Sequence, residues 1–454
     1  MMAFSCKHWL MAACLAGGLA LPARAQNWRF DFGPGPAADG WIAITPDMTY
    51  NPALGYGFDV TPERAVSLRG GDPVTGDYIT SGTPFKFSVR LPEGNYRVTV
   101  ILGDPVEASC TTVKAEERRL MLERVRTRPG EQVRHEFGVN IRHHTLSPGN
   151  GIKFDVREWD PATDLPVTNT WDDRLTLTFS DESPCVCAVK IAPVDDAVTV
   201  FLIGDSTVTD QVTEPYGTWG QHLTRWFQLP VVVANHAESG QTAKGFRFQR
   251  RWDKVMELIK PGDYVFIQFG HNDLNSRGHD AMWPLDDAAG EWVRTHSDAL
   301  TDYKWELATD ALEIKRHGGI PVIVSPMTKI DIRTGALNAT GLGDYPQGAR
   351  EAAALAECAF IDLHAMSVKL VEALGPEAAR KAYVDGLHTN TYGGYLLALC
   401  IAEGIREAEL PIAEHLLPET ADFDPGHPAP LPQAYDIPAD PPVRVPDPPG
   451  WPRR

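Results

Sequence analysis

The sequence predicts two folded parts, an all-β sandwich followed by an α/β domain with a parallel sheet and helices on both faces. Three observations carry the prediction. Residues from about 26 to 196 hold short apolar runs of period two, bounded by turn residues. From Val198 onward, short unbroken apolar runs alternate with longer helix-patterned stretches. At 454 residues the chain also exceeds what one hydrophobic core ordinarily organises, so two domains are the default.

The chain opens with Lys7, an apolar stretch from Trp9 to Leu21 and the small-x-small triplet Ala23-Arg24-Ala25. Together these predict a signal peptide over residues 1–25, and hence a secreted or periplasmic protein. Its removal takes away Cys6 and Cys14 and leaves Cys110, Cys185, Cys187, Cys358 and Cys400. An odd number leaves at least one thiol free, and in an oxidising compartment Cys110 could bridge to Cys185 or Cys187. Cys185 and Cys187 alternate on a strand-like run, so they are expected on opposite faces. Within the first domain, residues 26–196, the runs Phe85 to Leu91, Tyr96 to Leu102 and Leu175 to Phe179 alternate apolar and polar. Turns fall at Pro92-Glu93-Gly94-Asn95 and Asp172-Asp173. No helix of ordinary length is required, which makes a β-sandwich the economical solution. The opening Phe30-Asp31-Phe32-Gly33-Pro34-Gly35 is expected at a sheet edge.

In the second domain, residues 197–415, strands are predicted from Val198 to Ile203, Val231 to Ala234, Tyr264 to Gln268, Pro321 to Val324 and Ala359 to Ile361. Helices are predicted from Thr218 to Phe227, Arg247 to Ile259, Asp302 to Arg316, Tyr345 to Glu357 and Thr391 to Glu407. This alternation implies βαβ units and a parallel sheet, which places reactive residues past the carboxyl ends of its strands. Residues 416–454 form a proline-rich tail that cannot hold regular helix or sheet and reads as an extended strap or a disordered end.

The formal charge of −18 argues against a nucleic-acid partner. Outside the first residues no tract is long enough for a membrane span. An acidic polymer as substrate would need a local basic patch. Lys244, Arg247, Arg250 and Arg251 cluster where one could form, a solvated helix face being the other reading. No Cys and His cluster at ligand spacing, so no metal and no cofactor is implied.

Four short blocks carry the chemistry. Gly204-Asp205-Ser206-Thr207 follows a buried strand and presents a candidate nucleophile, Ser206; taken alone, such a serine is more often only a helix N-cap. Asp205 is expected to brace the turn. Gly240, in Asn235-His236-Ala237-Glu238-Ser239-Gly240, offers a backbone N–H with no side chain to obstruct a substrate oxygen, or is a plain turn glycine at a strand end. Asn272, in Gly270-His271-Asn272-Asp273, offers an uncharged side-chain donor, or equally a cap for the next helix. Asp385 and His388, spaced three apart, can share one turn, with His388 as base and Asp385 as its orienter; taken alone, the pair reads rather as an Asp N-cap and a polar loop histidine. His271 and His236 are expected as packing or turn residues, and His143-His144 receives no role. A nucleophile, donors for an oxyanion and an oriented base are the parts of acyl transfer.

These blocks, in this order, resemble those of the SGNH (GDSL-type) hydrolases over about residues 198–410. Gly204-Asp-Ser-Thr-Val208, Asn235-His-Ala237, Gly270-His-Asn-Asp273 and Asp385-x-x-His388 resemble the rhamnogalacturonan acetylesterase branch. The resemblance implies a flavodoxin-like SGNH hydrolase domain acting as a carbohydrate O-acetylesterase on an acetylated polysaccharide or oligosaccharide, rhamnogalacturonan first; the alternatives are an acetylesterase on xylan or small acetyl esters, and a carbohydrate-binding protein whose hydrolase domain is inactive. It implies Ser206, Asp385 and His388 as catalytic residues, and Ser206, Gly240 and Asn272 as the oxyanion hole. The β-sandwich is similar to galactose-binding-like domains that precede bacterial members. One departure stands after Gly240: this chain has Gln241-Thr242 where the family often has Arg-Ser, which removes a cation beside the site.

Overall fold

The computed structural model describes residues 27–67, 72, 74–147, 150–152, 159–160, 165–166, 170–274, 282–286, 291–294 and 296–428. The expected signal peptide and the tail beyond residue 428 lie outside the described residues.

The first domain packs two five-stranded sheets face to face. One has the order Val133–Ile141, Gly94–Leu102, Ala188–Pro193, Trp28–Phe32 and Ile42–Ile44; the other runs Tyr56–Val60, Phe85–Arg90, Arg174–Ser183, Ser109–Ala115 and Arg119–Thr127. Inward side chains of both sheets form one core, in which Phe30, Phe32, Phe58, Phe85 and Phe87 are buried. Phe30, Phe32 and Phe58 each meet Phe87 edge-on at 5.0–5.2 Å, the preferred geometry for aromatic pairs. Trp28–Phe32 is not an edge strand. It lies between Ala188–Pro193 and the short Ile42–Ile44, which pairs with it in parallel and takes the edge. The Gly-Pro segment marks the turn out of this strand, not the end of the sheet.

Cys185 and Cys187 do not face opposite sides either. The chain leaves one sheet at Cys185–Val186 and enters another at Ala188, so strict alternation breaks and both thiols reach the carbonyl of Gly103, at 3.1 and 3.3 Å. Cys110, Cys185, Cys187, Cys358 and Cys400 are all free.

The second domain is built on five parallel strands, numbered here β1 (Val198–Gly204), β2 (Val231–Asn235), β3 (Tyr264–Gln268), β4 (Ile320–Val324) and β5 (Ala359–Ile361). Their spatial order is β2-β1-β3-β4-β5, the flavodoxin-like arrangement. The strands read as unbroken apolar runs because both faces are covered. Val200 and Leu202 enter one core with Trp219, Leu370 and Leu396, while Phe201 and Ile203 enter another with Phe246, Leu307 and Ala349. The chain order reverses at β1, so a crevice opens past the carboxyl ends of β1 and its neighbours.

Helix boundaries depart from the sequence pattern where the backbone bends. The stretch expected from Arg247 to Ile259 is two helices, Ala243–Phe248 and Arg251–Leu258, broken at Arg250 with φ 61°. Asp302 to Arg316 becomes a π-turn at Ala299–Tyr303 followed by Lys304–Arg316. Leu363–Ala382 adds a helical stretch kinked at Gly375-Pro376, where the glycine takes φ 70°. Thr391–Glu407 matches its predicted span. Pro418–Thr420 forms one 3₁₀ turn, and Thr420 is fully buried, so the start of the tail is a strap on this domain.

The two domains touch closely. A Cβ on Gly138 would lie 2.6 Å from Val232 Cγ2, so only glycine lets the first domain's sheet approach β2 this closely. Among the described residues, no helix is long and apolar enough to cross a membrane.

Candidate active site

Ser206 stands two residues past β1 and is 8 % exposed. Gly204 makes this turn possible, because a Cβ there would sit 2.5 Å from Gln268 O on β3. Asp205 is fully buried and closes the turn; its Oδ1 accepts from Thr207 N at 2.9 Å and from Thr207 Oγ1 at 2.8 Å. Its Oδ2 lies 3.2 Å from His271 Nδ1, and His271 Nε2 lies 3.0 Å from the carbonyl of Met327. Burial opposes the charge on Asp205, but the His271 ring and the Thr207 donors overcome it and hold the carboxyl below its ordinary value. Gln268 Nε2 donates to Thr207 Oγ1 at 2.6 Å, and Trp219 Nε1 donates to Gln268 Oε1 at 2.9 Å. The Ser206 turn is thus clamped by side chains of β3 and of the helix Trp219–Leu223.

Asp385 and His388 lie in the loop between the helices ending at Ala382 and starting at Thr391. That loop is pinched by a bridge between Tyr383 and Thr389 and by Val384 N donating to His388 O at 2.8 Å. Asp385 Oδ1 accepts from Leu387 N and His388 N, both at 2.7 Å, and its Oδ2 accepts from His388 Nδ1 at 2.8 Å. Desolvation works against the carboxylate, yet these donors hold Asp385 at about 2. A carboxylate only accepts, so the proton of a neutral His388 ring sits on Nδ1 and leaves Nε2 as an acceptor. Ser206 Oγ lies 2.8 Å from that Nε2. Three residues expected to work together therefore form one continuous hydrogen-bonded line, across 182 residues of sequence between Ser206 and His388.

Gly240 and Asn272 lie past the carboxyl ends of β2 and β3, the two strands flanking β1. Gly240 takes φ 81°, a left-handed conformation that favours glycine. The backbone N–H groups of Ser206 and Gly240 make no hydrogen bond among the described residues. Asn272 Nδ2 donates to Gln241 O at 3.0 Å, and its second proton has no acceptor among the described residues. Asp273, fully buried, fixes this turn by accepting from Gly270 N at 3.0 Å and Ala243 N at 3.1 Å.

The remaining sequence candidates fall elsewhere. His236 is buried between Trp171 and Phe201, at 5.3 and 5.4 Å, and burial drives its pKa well below the ordinary value. The basic cluster is neither a free patch nor simply a solvated helix face. Lys244 pairs with Asp302 and Glu306, Arg247 with Asp310 and Glu313, and Arg250 with Asp253, while Arg251 is fully buried at 5.6 Å from the Trp171 ring. Gln241 is buried and donates to Gln249 Oε1 at 2.8 Å. Sequence reasoning missed Thr207, Gln268 and Trp219 as the clamp, and Gln211, whose Nε2 donates to Ser206 O at 2.7 Å. It missed Tyr216 as well, whose ring meets the His388 ring edge-on at 5.8 Å. No local signal marks them, since each acts through a contact made only in the folded chain.

The GDSL-like lipase/acylhydrolase family matches residues 202–394, and a β-agarase/YXIM esterase-like, galactose-binding domain-like family matches residues 28–142. Rhamnogalacturonan acetylesterase RhgT of Bacillus subtilis (strain 168) is 31% identical over 237 residues, which span 48% of this chain and 94% of that protein. The uncharacterized esterase YxiM of the same strain is 26% identical over 389 residues, covering 83% and 90% of the two chains. The crystal structure of Bacillus subtilis YxiM superposes with a TM-score of 0.43 at 23% identity, over 85% of this chain and 99% of that one. The parallel sheet, the four blocks past its strand ends and a relative matched over nearly its whole length lead to one conclusion: the chain belongs to the GDSL-like lipase/acylhydrolase, or SGNH, family of ester hydrolases.

Proposed function

We propose that the chain is an exported serine esterase that removes O-acetyl groups from a plant cell-wall polysaccharide, with acetylated rhamnogalacturonan as its first candidate substrate. The catalytic domain spans residues 197–415, behind a β-sandwich of residues 26–196. The observation that carries the assignment is the line Ser206 Oγ, His388 Nε2, His388 Nδ1, Asp385 Oδ2, with 2.8 Å at each of its two contacts. Ser206 Oγ attacks the acetyl carbonyl while His388 Nε2 takes its proton, and Asp385 stabilises the imidazolium that forms. The N–H groups of Ser206 and Gly240 and the free amide proton of Asn272 receive the oxyanion. His388 returns the proton to the departing sugar oxygen, which leaves as a hydroxyl, and water, activated by the same ring, releases acetate from Ser206.

The choice of substrate is supported by relatives whose names state rhamnogalacturonan acetylesterase, RhgT among them. A second reading, acetylated xylan or a small acetyl ester, is favoured by Gln241, which is uncharged and already committed to Gln249. Acetate release from acetylated rhamnogalacturonan and acetylated xylan, with Ser206→Ala in parallel, separates these. Release from the pectic polymer alone, lost in the variant, is the expected result. Release only from xylan or model esters removes the pectin assignment, and activity that persists in Ser206→Ala removes the mechanism.

A further inference from the structure

The hairpin joining Ser109–Ala115 to Arg119–Thr127 turns through Glu116-Glu117-Arg118. A tip of this composition normally faces water. Here Glu116, Glu117, Arg118 and Arg119 are 2%, 1%, 6% and 1% exposed, because the tip inserts into the catalytic domain. Glu116 and Arg118 both take positive φ, 54° and 63°, a conformation that L-residues adopt at a cost of order 1 kcal/mol each. Such strain persists only where surrounding contacts hold it in place.

Those contacts converge on the catalytic loops. Arg118 Nη1 donates to Gln211 O at 3.1 Å and to Tyr216 O at 2.7 Å, while Nη2 pairs with the Glu214 carboxylate and donates to Thr391 Oγ1 at 3.1 Å. The segment from Gln211 to Tyr216 touches both reacting side chains' loops. At one end Gln211 Nε2 holds Ser206 O; at the other the Tyr216 ring lies against His388 at an interplanar angle of 86°. Tyr216 bridges to Asn390, and Gly217 N donates to Thr389 O at 3.0 Å, so the segment is laced to the His388 loop. Thr391, the fourth partner of Arg118, begins the helix just after that loop. A second contact repeats the pattern, with Gln221 Nε2 donating to Glu117 O at 2.8 Å and to Gln211 O at 3.0 Å. A planar guanidinium with five donors matches this set of acceptors, which an ammonium cannot reproduce.

We propose that Arg118, carried by the β-sandwich, is a positioning residue for the Ser206–His388 pair, so that the first domain is a working part of the catalytic centre. This rests on Ser206 and His388 being nucleophile and base. Docking of the domains has separate anchors. Arg119 and Arg142 both bind Asp210, and Lys254 Nζ donates to Glu93 and to Thr145 O, each at 2.8 Å. Arg118 instead holds the loops between which the proton moves, where a displacement of about 1 Å can cost about 100-fold in rate.

The test uses the full chain and 4-nitrophenyl acetate, comparing Arg118→Ala, Arg118→Lys, Tyr216→Ala, the Arg118→Ala/Tyr216→Ala double variant, Lys254→Gln and Ser206→Ala. Arg118→Ala is expected to lower kcat by about 10- to 100-fold with KM within about 3-fold, and Arg118→Lys to recover only part of the loss. The double variant should fall well short of the product of the two single losses, since both act through one segment. Lys254→Gln, which disturbs the domain contact away from the site, should lower melting temperature while sparing kcat. The proposal is overturned if kcat of Arg118→Ala stays within 2-fold of wild type, roughly the spread of independent additive effects. It is overturned equally if the single losses multiply, or if Lys254→Gln lowers kcat as much at the same loss of melting temperature. Should Arg118→Ala fail to fold, a wild-type kcat in folded Arg118→Lys overturns it as well. Activity surviving in Ser206→Ala would instead remove the mechanism on which it rests, a distinct result.

Discussion

Replacing Asp385 by asparagine should damage catalysis more than removing its side chain altogether. The carboxylate accepts from His388 Nδ1 at 2.8 Å while its other oxygen holds the N–H groups of Leu387 and His388, both at 2.7 Å. Asparagine can keep those two backbone bonds through Oδ1, but it then turns an NH₂ toward Nδ1. The ring answers by moving its proton to Nε2, where it points at Ser206 Oγ and can no longer take the serine proton. In buried triads that tautomer error costs about 10,000-fold. Here the Asp385 and His388 side chains are 46% and 28% exposed, so water competes and the loss is smaller. The lost attraction between imidazolium and carboxylate is about 1 kcal/mol in bulk water and about 4 kcal/mol at the effective dielectric near a protein surface. That range corresponds to about 5- to 1000-fold in rate. Adding the tautomer penalty, Asp385→Asn should lose about 100- to 1000-fold in kcat on 4-nitrophenyl acetate at neutral pH, and Asp385→Ala about 10- to 100-fold, because water can serve the freed ring. An asparagine variant more active than the alanine one, or retaining a third of wild-type kcat, would refute the assignment of Asp385 as orienter.

Three further outcomes follow from the same geometry. Asn272→Ala removes one of the three proposed oxyanion donors and should lower kcat by about 100- to 1000-fold with folding intact; turnover within a few-fold of wild type would clear Asn272 of the role. Asp210→Asn leaves the buried Arg119 and Arg142 without their shared counter-ion and should lower stability by about 3–5 kcal/mol, read as an earlier urea midpoint; an unchanged midpoint would show that this buried ion cluster does not contribute to holding the domains. Asp31 is raised to about 6 by burial, with Asp77 and Asp72 adding repulsion that a single N–H bond from Ala38 does not offset. Its folded form binds the proton more tightly than the unfolded chain, so its contribution is full below about pH 4 and is lost as pH rises through about 6. Asp31→Asn should therefore raise the melting temperature at pH 7.5 and change it little at pH 4; an equal effect at both values would mean that the carboxyl does not titrate there.

What the sequence disclosed, and what it hid, divides along a physical line. The strands of the second domain were legible because burial on both faces leaves an unbroken apolar run, and Tyr264–Gln268 and Ala359–Ile361 fall where the pattern puts them. Ser206, past the end of a strand, and Asp385 and His388, in a loop between helices, stood out because acyl-transfer chemistry restricts such positions to few residue types, and the fold brings the three into contact. Helix limits were less legible. Arg250 breaks a helix by its backbone angle, which side-chain periodicity does not report, and the kinked stretch around Gly375-Pro376 is hidden by its own breakers. The thiols Cys185 and Cys187 misled for a related reason: alternation holds within a strand, and the chain changes sheets between them.

Buried charge was the least legible feature, and it bears most on function. Glu116-Glu117-Arg118-Arg119 draws no reading from the sequence, and Arg251 reads as part of a basic cluster, because charged residues in water and charged residues between two domains look alike in sequence. Only the partner surface tells them apart, since burial of a charge is tolerated where acceptors such as Asp210, Glu214 or main-chain carbonyls meet it. The sandwich therefore could be recognised as a fold from its strands, but its link to the catalytic loops is written in the register of one hairpin against the segment from Gln211 to Tyr216. A domain attached by a linker alone would leave that segment to hold its own shape. In this chain the strained turn at Arg118 reaches across to hold it, so the position of His388 relative to Ser206 depends on residues some ninety positions before the nucleophile.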